Sequence, residues 1–397
     1  MSLPLGRRRS PATATVKKPM DHSVGAATSP VVPAYHDACV TTLVPALLEG
    51  SAVPAWLPEE VLQARRILLL VLDGLGWLQL RDRAGVAPTL AGLAGGPITT
   101  VAPSTTAAAL TSLSTGLPPG EHGVVGYRIA VGGSGGPPHG EVLNALRWST
   151  GDGDARRRHD PRLFQPCEIF GSQRPPVVTR AEFAESGFTA AHLSDTRLFG
   201  YADRTGLLDQ VLGAFARKEP FVYAYWDDID RIAHEFGLAE RYNDELAACD
   251  LMVAELLHRL PAGTAVVVTA DHGQVHVGER LVDLPVEVTG LVDGQSGEAR
   301  FRWLHARPGA ASDLLAAAHQ AFDHMGWVRS VDEVVSDGWL GDRVTSASRG
   351  RLGDVAVAAR DPVAFVDPAE ASSVELIGRH GSLTADEMLV PAVFAVT

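Results

Sequence analysis

Uninterrupted apolar runs alternate with amphipathic segments along most of this chain, and several runs stop abruptly at acidic residues. Ile67 to Leu72, Phe221 to Trp226 and Ala265 to Thr269 are continuously apolar, which is typical of strands buried on both faces of a sheet. Leu238 to Leu260 instead repeats its apolar positions at helical spacing. The alternation of strands and helices from residue 65 onward predicts an α/β fold whose mostly parallel central sheet has helices on both faces.

Weaker patterns complete the predicted order of elements. We expect further helices at Asp37 to Leu48, Ala87 to Leu93, Thr106 to Thr115, Arg180 to Ser186, Gly206 to Ala216 and Ala310 to Met325, and further strands at Ile98 to Val101, Phe188 to Leu193, Val355 to Ala359 and Val390 to Val396. A Gly/Pro loop at 132–140 precedes a hairpin arm at Val142 to Trp148. The β-like stretch at 281–304 predicts a small insertion within one domain spanning 35–397.

Composition narrows the classes of protein that fit. Residues 1–34 are rich in Pro, Ser, Thr and Ala, which predicts a disordered tail. A formal net charge of -13 argues against bulk nucleic-acid binding. No run approaches the ~20 apolar residues of a membrane span. Three widely spaced cysteines favour a reduced, cytoplasmic setting. Nothing in the sequence specifies an oligomeric state.

Acidic residues and histidines follow the buried runs. Asp73 ends the first, and Asp271 and His272 end the third. After the second, Asp230 and His234 are four residues apart, so a helical turn places both on one face. Asp73 alone is more often a turn residue, and the acids near Asp230 alone could form a solvated loop. Parallel strands deliver such groups to one edge of the sheet, so together they predict a metal site.

A hydroxyl-rich segment, Ser104-Thr105-Thr106, precedes a predicted helix of small residues. One interpretation is a helix N-cap. The other is a nucleophile, because the backbone N–H groups at a helix N-terminus favour a phosphate and a metal-bound hydroxyl is activated. The residues alone do not decide between an N-cap and a nucleophile.

The motifs taken together resemble the alkaline phosphatase superfamily, and most closely its nucleotide pyrophosphatase/phosphodiesterase branch. The resemblance covers roughly residues 65–397. It depends on the order Asp73-Gly74, Pro103 to Thr106, Thr115-Gly116, Glu121-His122-Gly123, Asp230 with His234, Asp271-His272-Gly273 and His380-Gly381. Each motif alone is weak evidence for the family, whereas the whole set in this order is specific to it.

The resemblance implies a site with two zinc ions, manganese being an alternative. Asp230, His234 and His380 would bind one ion, and Asp73, Asp271 and His272 would bind the other together with the nucleophile. The family's motif aligns that nucleophile with Thr106, and Thr105 is the alternative register. The implied reaction proceeds through a phospho-threonine, which water then hydrolyses.

In the phosphodiesterase branch, an asparagine helps to bind a phosphate oxygen. This chain departs from that pattern, because Tyr127 takes the place of the asparagine. Asn144 is a candidate substitute, and Arg128 is a candidate phosphate contact that would favour monoesters. The leading hypothesis is therefore hydrolysis of a small-molecule phosphodiester or a nucleotide pyrophosphate. Phosphomonoester or phosphonate hydrolysis on the same site is the second hypothesis. A non-catalytic binding protein is the third, although the complete ligand set argues against it.

Overall fold

The computed structural model describes residues 29–50, 53–132, 141–370 and 375–397. A seven-stranded sheet forms its centre. In spatial order the strands are Ala94–Thr99, Leu389–Val396, Thr264–Thr269, Arg66–Leu72, Phe221–Trp226, Pro176–Arg180 and Arg197–Tyr201. Leu389–Val396 pairs antiparallel with both of its neighbours, and the other strands run in one direction. The predicted α/β class with a mostly parallel sheet is confirmed.

Three apolar strands occupy the middle of this sheet. Arg66–Leu72 pairs in parallel with Thr264–Thr269 on one side and with Phe221–Trp226 on the other. Both neighbours are buried along their whole length, which explains why the sequence runs are apolar without alternation. Parallel strands end at the same edge, so the residues that follow these three strands are brought close together.

Helices pack against the sheets in the described part of the chain. The longer ones are Val40–Glu49, Thr106–Thr115, Arg204–Ala216, Asp228–Phe236, Glu240–Arg259 and Ala311–Phe322. The shorter ones are Glu59–Leu62, Trp77–Asp82, Pro88–Gly92, Pro119–His122, Pro161–Phe164, Gly187–His192, Val286–Thr289, Val331–Ser336, Ser346–Arg349 and Ala385–Met388, with 3-10 turns at Phe170–Ser172 and Ala181–Phe183. Among the described residues, no helix combines the length and apolar character needed to cross a membrane.

The predicted insertion belongs to a larger antiparallel unit. Its sheet has the order Val292–Glu298, Phe301–Ala306, Val355–Ala359 and Gly326–Ser330. Alternate residues face opposite sides: Trp303 and Ala356 join the main core, whereas Leu304 and Val355 join a second core with the helix Ala311–Phe322. The unit therefore extends well beyond residue 304, because the strands at 326–330 and 355–359 complete its sheet.

Short strands lie outside these two sheets. Arg128–Val131, Glu141–Asn144, Ser149–Thr150 and Gly153–Asp154 form an antiparallel sheet, while Val275–His276 pairs with Gly378–Arg379 and Leu281–Val282 pairs with Ala364–Phe365. The first of these sheets contains the predicted hairpin arm. Most of the predicted Gly/Pro loop, residues 133–140, lies outside the described residues.

The sequence prediction is wrong between residues 180 and 193. The helix predicted at 180–186 is a strand end followed by a 3-10 turn, and the strand predicted at 188–193 is the helix Gly187–His192. The Ser186 side chain accepts a hydrogen bond from the Thr189 amide, so Ser186 caps the start of a helix at the residue where the predicted helix ended.

Two other boundaries differ from prediction. The strand expected at 98–101 is Ala94–Thr99, which lies at the edge of the central sheet, where its glycines and proline are tolerated. Residues 1–28 of the predicted tail lie outside the described residues. The remainder is attached to the domain, because the Val31 amide donates to the Leu383 carbonyl and the Ala34 amide to the Thr99 hydroxyl.

Candidate active site

Two buried carboxylates and an imidazole meet at the carboxyl edge of the central sheet. Asp73 follows Arg66–Leu72, and Asp271 and His272 follow Thr264–Thr269. The Nε2 atom of His272 lies 3.5 Å from Asp73 Oδ1 and 3.3 Å from Asp271 Oδ2. Neither of these oxygens has a hydrogen-bond partner in the described part of the chain. Buried, unpartnered carboxylate oxygens are costly unless a cation neutralises them.

A second group of donors adjoins the first. Asp230 and His234 lie one turn apart on the helix Asp228–Phe236, with 3.3 Å between Asp230 Oδ2 and His234 Nε2. His380 Nε2 is 3.8 Å from Asp230 Oδ1, and its ring stacks on His272 with centroids 3.5 Å apart. Asp230 belongs to both groups: its oxygens lie within 4.8 Å of donor atoms of His234 and His380, and also of Asp73 and His272.

All three imidazoles form the same kind of hydrogen bond through Nδ1. The Nδ1–H groups donate to backbone carbonyls, at 3.1 Å from His272 to Gly273, 2.7 Å from His234 to Gly378 and 2.9 Å from His380 to Ser104. A carbonyl only accepts, so this arrangement assigns the proton to Nδ1 and turns the Nε2 lone pair toward the carboxylates. Metal-binding histidines are usually held in this way.

The surroundings of the site disfavour the charged forms of Asp73, Asp271 and His380. Burial, followed by the nearby charges of Asp271 and Asp230, raises the pKa of Asp73 well above its usual range. Burial likewise raises the pKa of Asp271. Burial and then the neighbouring His272 and His234 lower the pKa of His380. Carboxylates together with neutral imidazoles form a donor set that suits a divalent ion such as zinc, so these residues fit the metal implied by the sequence.

Four hydrogen bonds orient the carboxylates. The Tyr225 hydroxyl donates to Asp73 Oδ2, and the Gln274 amide donates to Asp230 Oδ1. The backbone N–H groups of Gly74 and His272 each donate to Asp271 Oδ1 at 3.0 Å. The sequence did not predict these roles for Tyr225 and Gln274. Only the position of Gln274, two residues after His272, gave any sequence signal.

The hydroxyl segment places Thr106 against the metal ligands. Thr106 is the first residue of the helix Thr106–Thr115, and its Oγ1 lies 3.0 Å from His272 Nε2. Thr105 is at the N-cap position but makes no side-chain cap hydrogen bond. Ser104 donates its hydroxyl to the Ser382 carbonyl at 2.6 Å. Thr106 is therefore the member of the segment whose side chain forms a hydrogen bond with a candidate ligand.

Two cavities flank Thr106. One has a volume of about 560 Å³, and its wall combines apolar side chains, including Phe183, Phe188 and Leu110, with acidic and hydroxyl groups. The other has a volume of about 370 Å³, with Tyr127 and Arg379 in its wall. Thr106, Asp230 and His234 line both cavities, so a group bound at the donors has access to two adjoining spaces.

The three candidate substrate-binding residues differ in their position relative to the cavities. Tyr127 lines the polar cavity, and its hydroxyl accepts a hydrogen bond of 2.7 Å from the Asn144 amide. Asn144 is not among the residues lining either cavity, so it supports Tyr127. The Arg128 guanidinium is paired with Asp367 and with Glu370 and likewise lines neither cavity. Two acids far away in sequence thus engage the charge of Arg128, and this pairing disfavours the phosphate contact predicted for it.

Trp226, at the end of a central strand, is a core residue. It is buried, its indole N–H donates to Glu245 at 2.9 Å, and the guanidiniums of Arg180 and Arg204 lie over its ring. From the antiparallel unit, Glu298 and Ala299 line the polar cavity.

Comparisons with known proteins agree with this geometry. Residues 67–383 match the family model described as type I phosphodiesterase / nucleotide pyrophosphatase. No curated protein sequence matches the chain.

Solved structures share the fold at low sequence identity. Murine ectonucleotide pyrophosphatase/phosphodiesterase 5 is 15% identical with a TM-score of 0.61, covering 82% of this chain and 88% of its own. An inactive variant of it in complex with AMP is 15% identical with a TM-score of 0.62, covering 83% and 88%. Phosphonoacetate hydrolase from Sinorhizobium meliloti 1021, in complex with phosphonoformate, is 18% identical with a TM-score of 0.60, covering 83% and 90%.

The family match spans most of the chain, including every strand-end motif from Asp73 to His380. Members of this family are phosphoric ester hydrolases that depend on metal ions. The protein therefore belongs to the type I phosphodiesterase / nucleotide pyrophosphatase family.

Proposed function

We propose that the protein hydrolyses phosphodiester or nucleotide pyrophosphate bonds with two bound metal ions and Thr106 as nucleophile. The observation that carries this proposal is the position of Thr106 Oγ1, 3.0 Å from His272 Nε2 and in the wall of both cavities. The murine relative bound to AMP is inactive with one threonine replaced by alanine, which supports a threonine nucleophile here.

The candidate ligands form two metal sites. Asp230, His234 and His380 would hold one ion, and Asp73, Asp271, His272 and Thr106 would hold the other. Such ions lower the pKa of a bound hydroxyl and neutralise charge on the phosphoryl group as it is transferred. Zinc fits the donor set best, with manganese as the alternative.

Thr106 Oγ1 then forms a bond to phosphorus while the bond to the leaving oxygen breaks on the opposite side. The threonine proton passes to solvent, and the released alkoxide takes a proton from water. Water next attacks the phospho-threonine and restores the hydroxyl. The helix Thr106–Thr115 fixes the attacking atom, so its position is set before substrate binds.

Phosphonate hydrolysis is the second candidate. It is favoured by the fold shared with phosphonoacetate hydrolase and by Arg147 and Arg379 in the polar cavity, since a second anionic group on the substrate would be attracted to these guanidiniums.

The test is turnover of zinc-loaded and manganese-loaded protein on bis-p-nitrophenyl phosphate, p-nitrophenyl phosphate and phosphonoacetate. We expect preference for the diester, abolished in Thr106→Ala and retained in Thr115→Ala, a matched change at the far end of the same helix. Preference for phosphonoacetate or for the monoester would replace the proposed substrate class. Absence of turnover together with absence of bound metal would favour a binding protein.

A further inference from the structure

Ser104 connects the segment that contains Thr106 to the segment that carries His380. The Ser104 N–H donates to the Gly381 carbonyl at 3.1 Å, and the Ser104 carbonyl accepts the His380 Nδ1–H at 2.9 Å. The Ser104 hydroxyl donates to the Ser382 carbonyl at 2.6 Å and accepts the Gly381 N–H at 3.2 Å. Ser104 is fully buried, and all of its polar groups are thus engaged by three consecutive residues.

Residues 380–382 are attached in turn to the antiparallel unit. The Ser382 hydroxyl donates to the Ala359 carbonyl at 2.6 Å, at the end of the strand Val355–Ala359. The Ser382 N–H donates to Glu387 Oε1 at 3.0 Å. Ser382 and Glu387 are both fully buried, so solvent does not compete for these bonds. Ser382 therefore connects Ser104 to the antiparallel unit.

A buried ion pair fixes the position of Glu387. Arg300 lies in a hairpin turn of the antiparallel unit, and its guanidinium donates to Glu387 Oε1 at 2.6 Å and to Oε2 at 2.8 Å. Neither side chain has any exposed area. The same guanidinium also donates to the carbonyls of Ala359, Asp361 and Val363. A buried ion pair adds little net stability compared with apolar side chains, whereas a bidentate pair fixes the relative position of two segments.

These side chains do not line the space beside the nucleophile. In the part of the chain that the structure describes, Ser104, Ser382 and Glu387 belong to the wall of neither cavity at Thr106. Ser104 instead contacts the His380 imidazole through its carbonyl, and it precedes Thr106 by two residues. Any effect of Ser104 on the reaction therefore passes through the positions of His380 and Thr106.

On the basis of the proposed function, we infer that Ser104 is a positioning residue that holds the His380 imidazole and Thr106 in one fixed arrangement. The Arg300–Glu387 pair, through Ser382, anchors this arrangement to the antiparallel unit. The unit thus contributes to the geometry of the metal ligands from outside the central sheet. Loss of the Ser104 hydroxyl removes two hydrogen bonds to 381–382, so the segment that carries His380 is less constrained.

The first test observes the His380 ring in metal-free protein, without any assay of turnover. Protein labelled with ¹⁵N-histidine shows the His380 Nδ1–H by NMR, and its signal is identified by its loss in His380→Ala. We expect Ser104→Ala to fold, because both backbone bonds of residue 104 remain, and to exchange this proton with water about tenfold faster or more. Ser382→Ala, which cuts the bond to Ala359, should change it in the same direction.

The second test measures metal binding with cobalt(II), whose visible absorption reports its ligands. In a titration against a chelator, Ser104→Ala should raise the Kd of one cobalt ion roughly 10–100-fold and change its spectrum. Ser114→Ala is the matched control. Ser114 is buried on the helix Thr106–Thr115, and its hydroxyl donates to the Thr111 carbonyl at 3.1 Å, so its loss should leave the exchange rate and the Kd unchanged.

The outcomes separate the positioning role from the function on which it rests. An unchanged His380 signal and an unchanged cobalt Kd in folded Ser104→Ala or Ser382→Ala overturn the inference, even if the wild-type protein hydrolyses diesters. An equal change in Ser114→Ala also overturns it, since any buried serine would then have the same effect. If both readouts change as expected and the wild-type protein hydrolyses no phosphate ester, the proposed function fails while the positioning of His380 stands.

Discussion

The Tyr225 hydroxyl donates a hydrogen bond to Oδ2 of Asp73, joining two neighbouring strands at their carboxyl ends. Both residues are buried. Because Oδ2 is engaged, Oδ1 is the Asp73 oxygen directed at His272 Nε2, and it has no hydrogen-bond partner among the described residues. Tyr225 thus fixes which oxygen of Asp73 is left for a metal ion.

Replacing this tyrosine should weaken metal binding. We expect Tyr225→Phe to fold and to lose roughly 10–100-fold in affinity for the ion at Asp73, as is typical when a partner of a metal ligand is removed. Competition with a chromophoric chelator measures this. Tyr242→Phe is the matched control, because the Tyr242 hydroxyl is buried without a partner in the described part of the chain. Equal affinities in the two variants would contradict the orienting role.

The choice between Thr105 and Thr106 is a second prediction. Thr106→Ala should retain both ions and lose at least about 10³-fold in kcat, since the group that forms the covalent intermediate is removed. Thr105→Ala should change kcat by less than about tenfold. Steady-state turnover of the diester and metal analysis check both. A dead Thr105→Ala beside an active Thr106→Ala would move the nucleophile by one residue.

The convergence of the candidate ligands was predictable because each is attached to a strong local pattern. Asp73 and Asp271 follow apolar runs that become neighbouring parallel strands, and Asp230 and His234 have helical spacing. His380 was different, because only the resemblance to a family connected it with the others. In the structure, the His380 ring stacks on His272, a residue far away in sequence.

The residues that orient and surround the site could not be predicted, because their contacts cross between elements. Tyr225 looked like an ordinary strand aromatic, and Arg128 looked free to bind phosphate. Asp367, one of the two acids that pair with Arg128, is 239 positions away from it in sequence. Local patterns also misassigned Phe188, because aromatic and β-branched residues suit a strand while the cap at Ser186 starts a helix.

The two donor groups should lose metal differently. His234 lies only in the group with His380, whereas Asp230 lies in both groups. We therefore expect His234→Ala to bind one ion per chain in place of two, and Asp230→Ala to weaken both. Mass-spectrometric metal analysis of dialysed protein measures this, with exposed His276 changed to Ala as the control. Two ions retained in His234→Ala would contradict the ligand assignment.

Metal removal should destabilise the fold. Without cations, the carboxylates of Asp73, Asp230 and Asp271 repel one another. At free zinc one hundred times its Kd, each site should add about 2.7 kcal/mol to the free energy of unfolding, so a chelator should lower Tm. Asp73→Asn should reduce this drop, because it removes one repelling charge and one ligand. An unchanged Tm on chelation would argue against metal binding.

Glu298 predicts a distinct dependence of stability on pH. Burial raises its pKa to about 8; Glu370 and Glu387 act in the same direction, and the Tyr127 amide and Arg302 oppose them. Its Oε2 accepts the Tyr127 N–H at 3.1 Å, and its Oε1 has no partner among the described residues. The folded protein therefore keeps a proton that the unfolded chain has lost between about pH 4.5 and 8.

The sign follows from the proton count. In that window the folded state binds more protons, so raising the pH lowers the free energy of unfolding, with a slope from this group of up to about 1.4 kcal/mol per pH unit. Glu298→Gln removes the titration, and we expect its stability relative to wild type to rise from pH 5 to pH 8 and then level off. Urea unfolding across this range measures the difference, with Glu255→Gln at an exposed position as the control. A constant difference between Glu298→Gln and wild type would mean that Glu298 is ionised throughout, and that its buried charge is compensated by Arg302 or another cation.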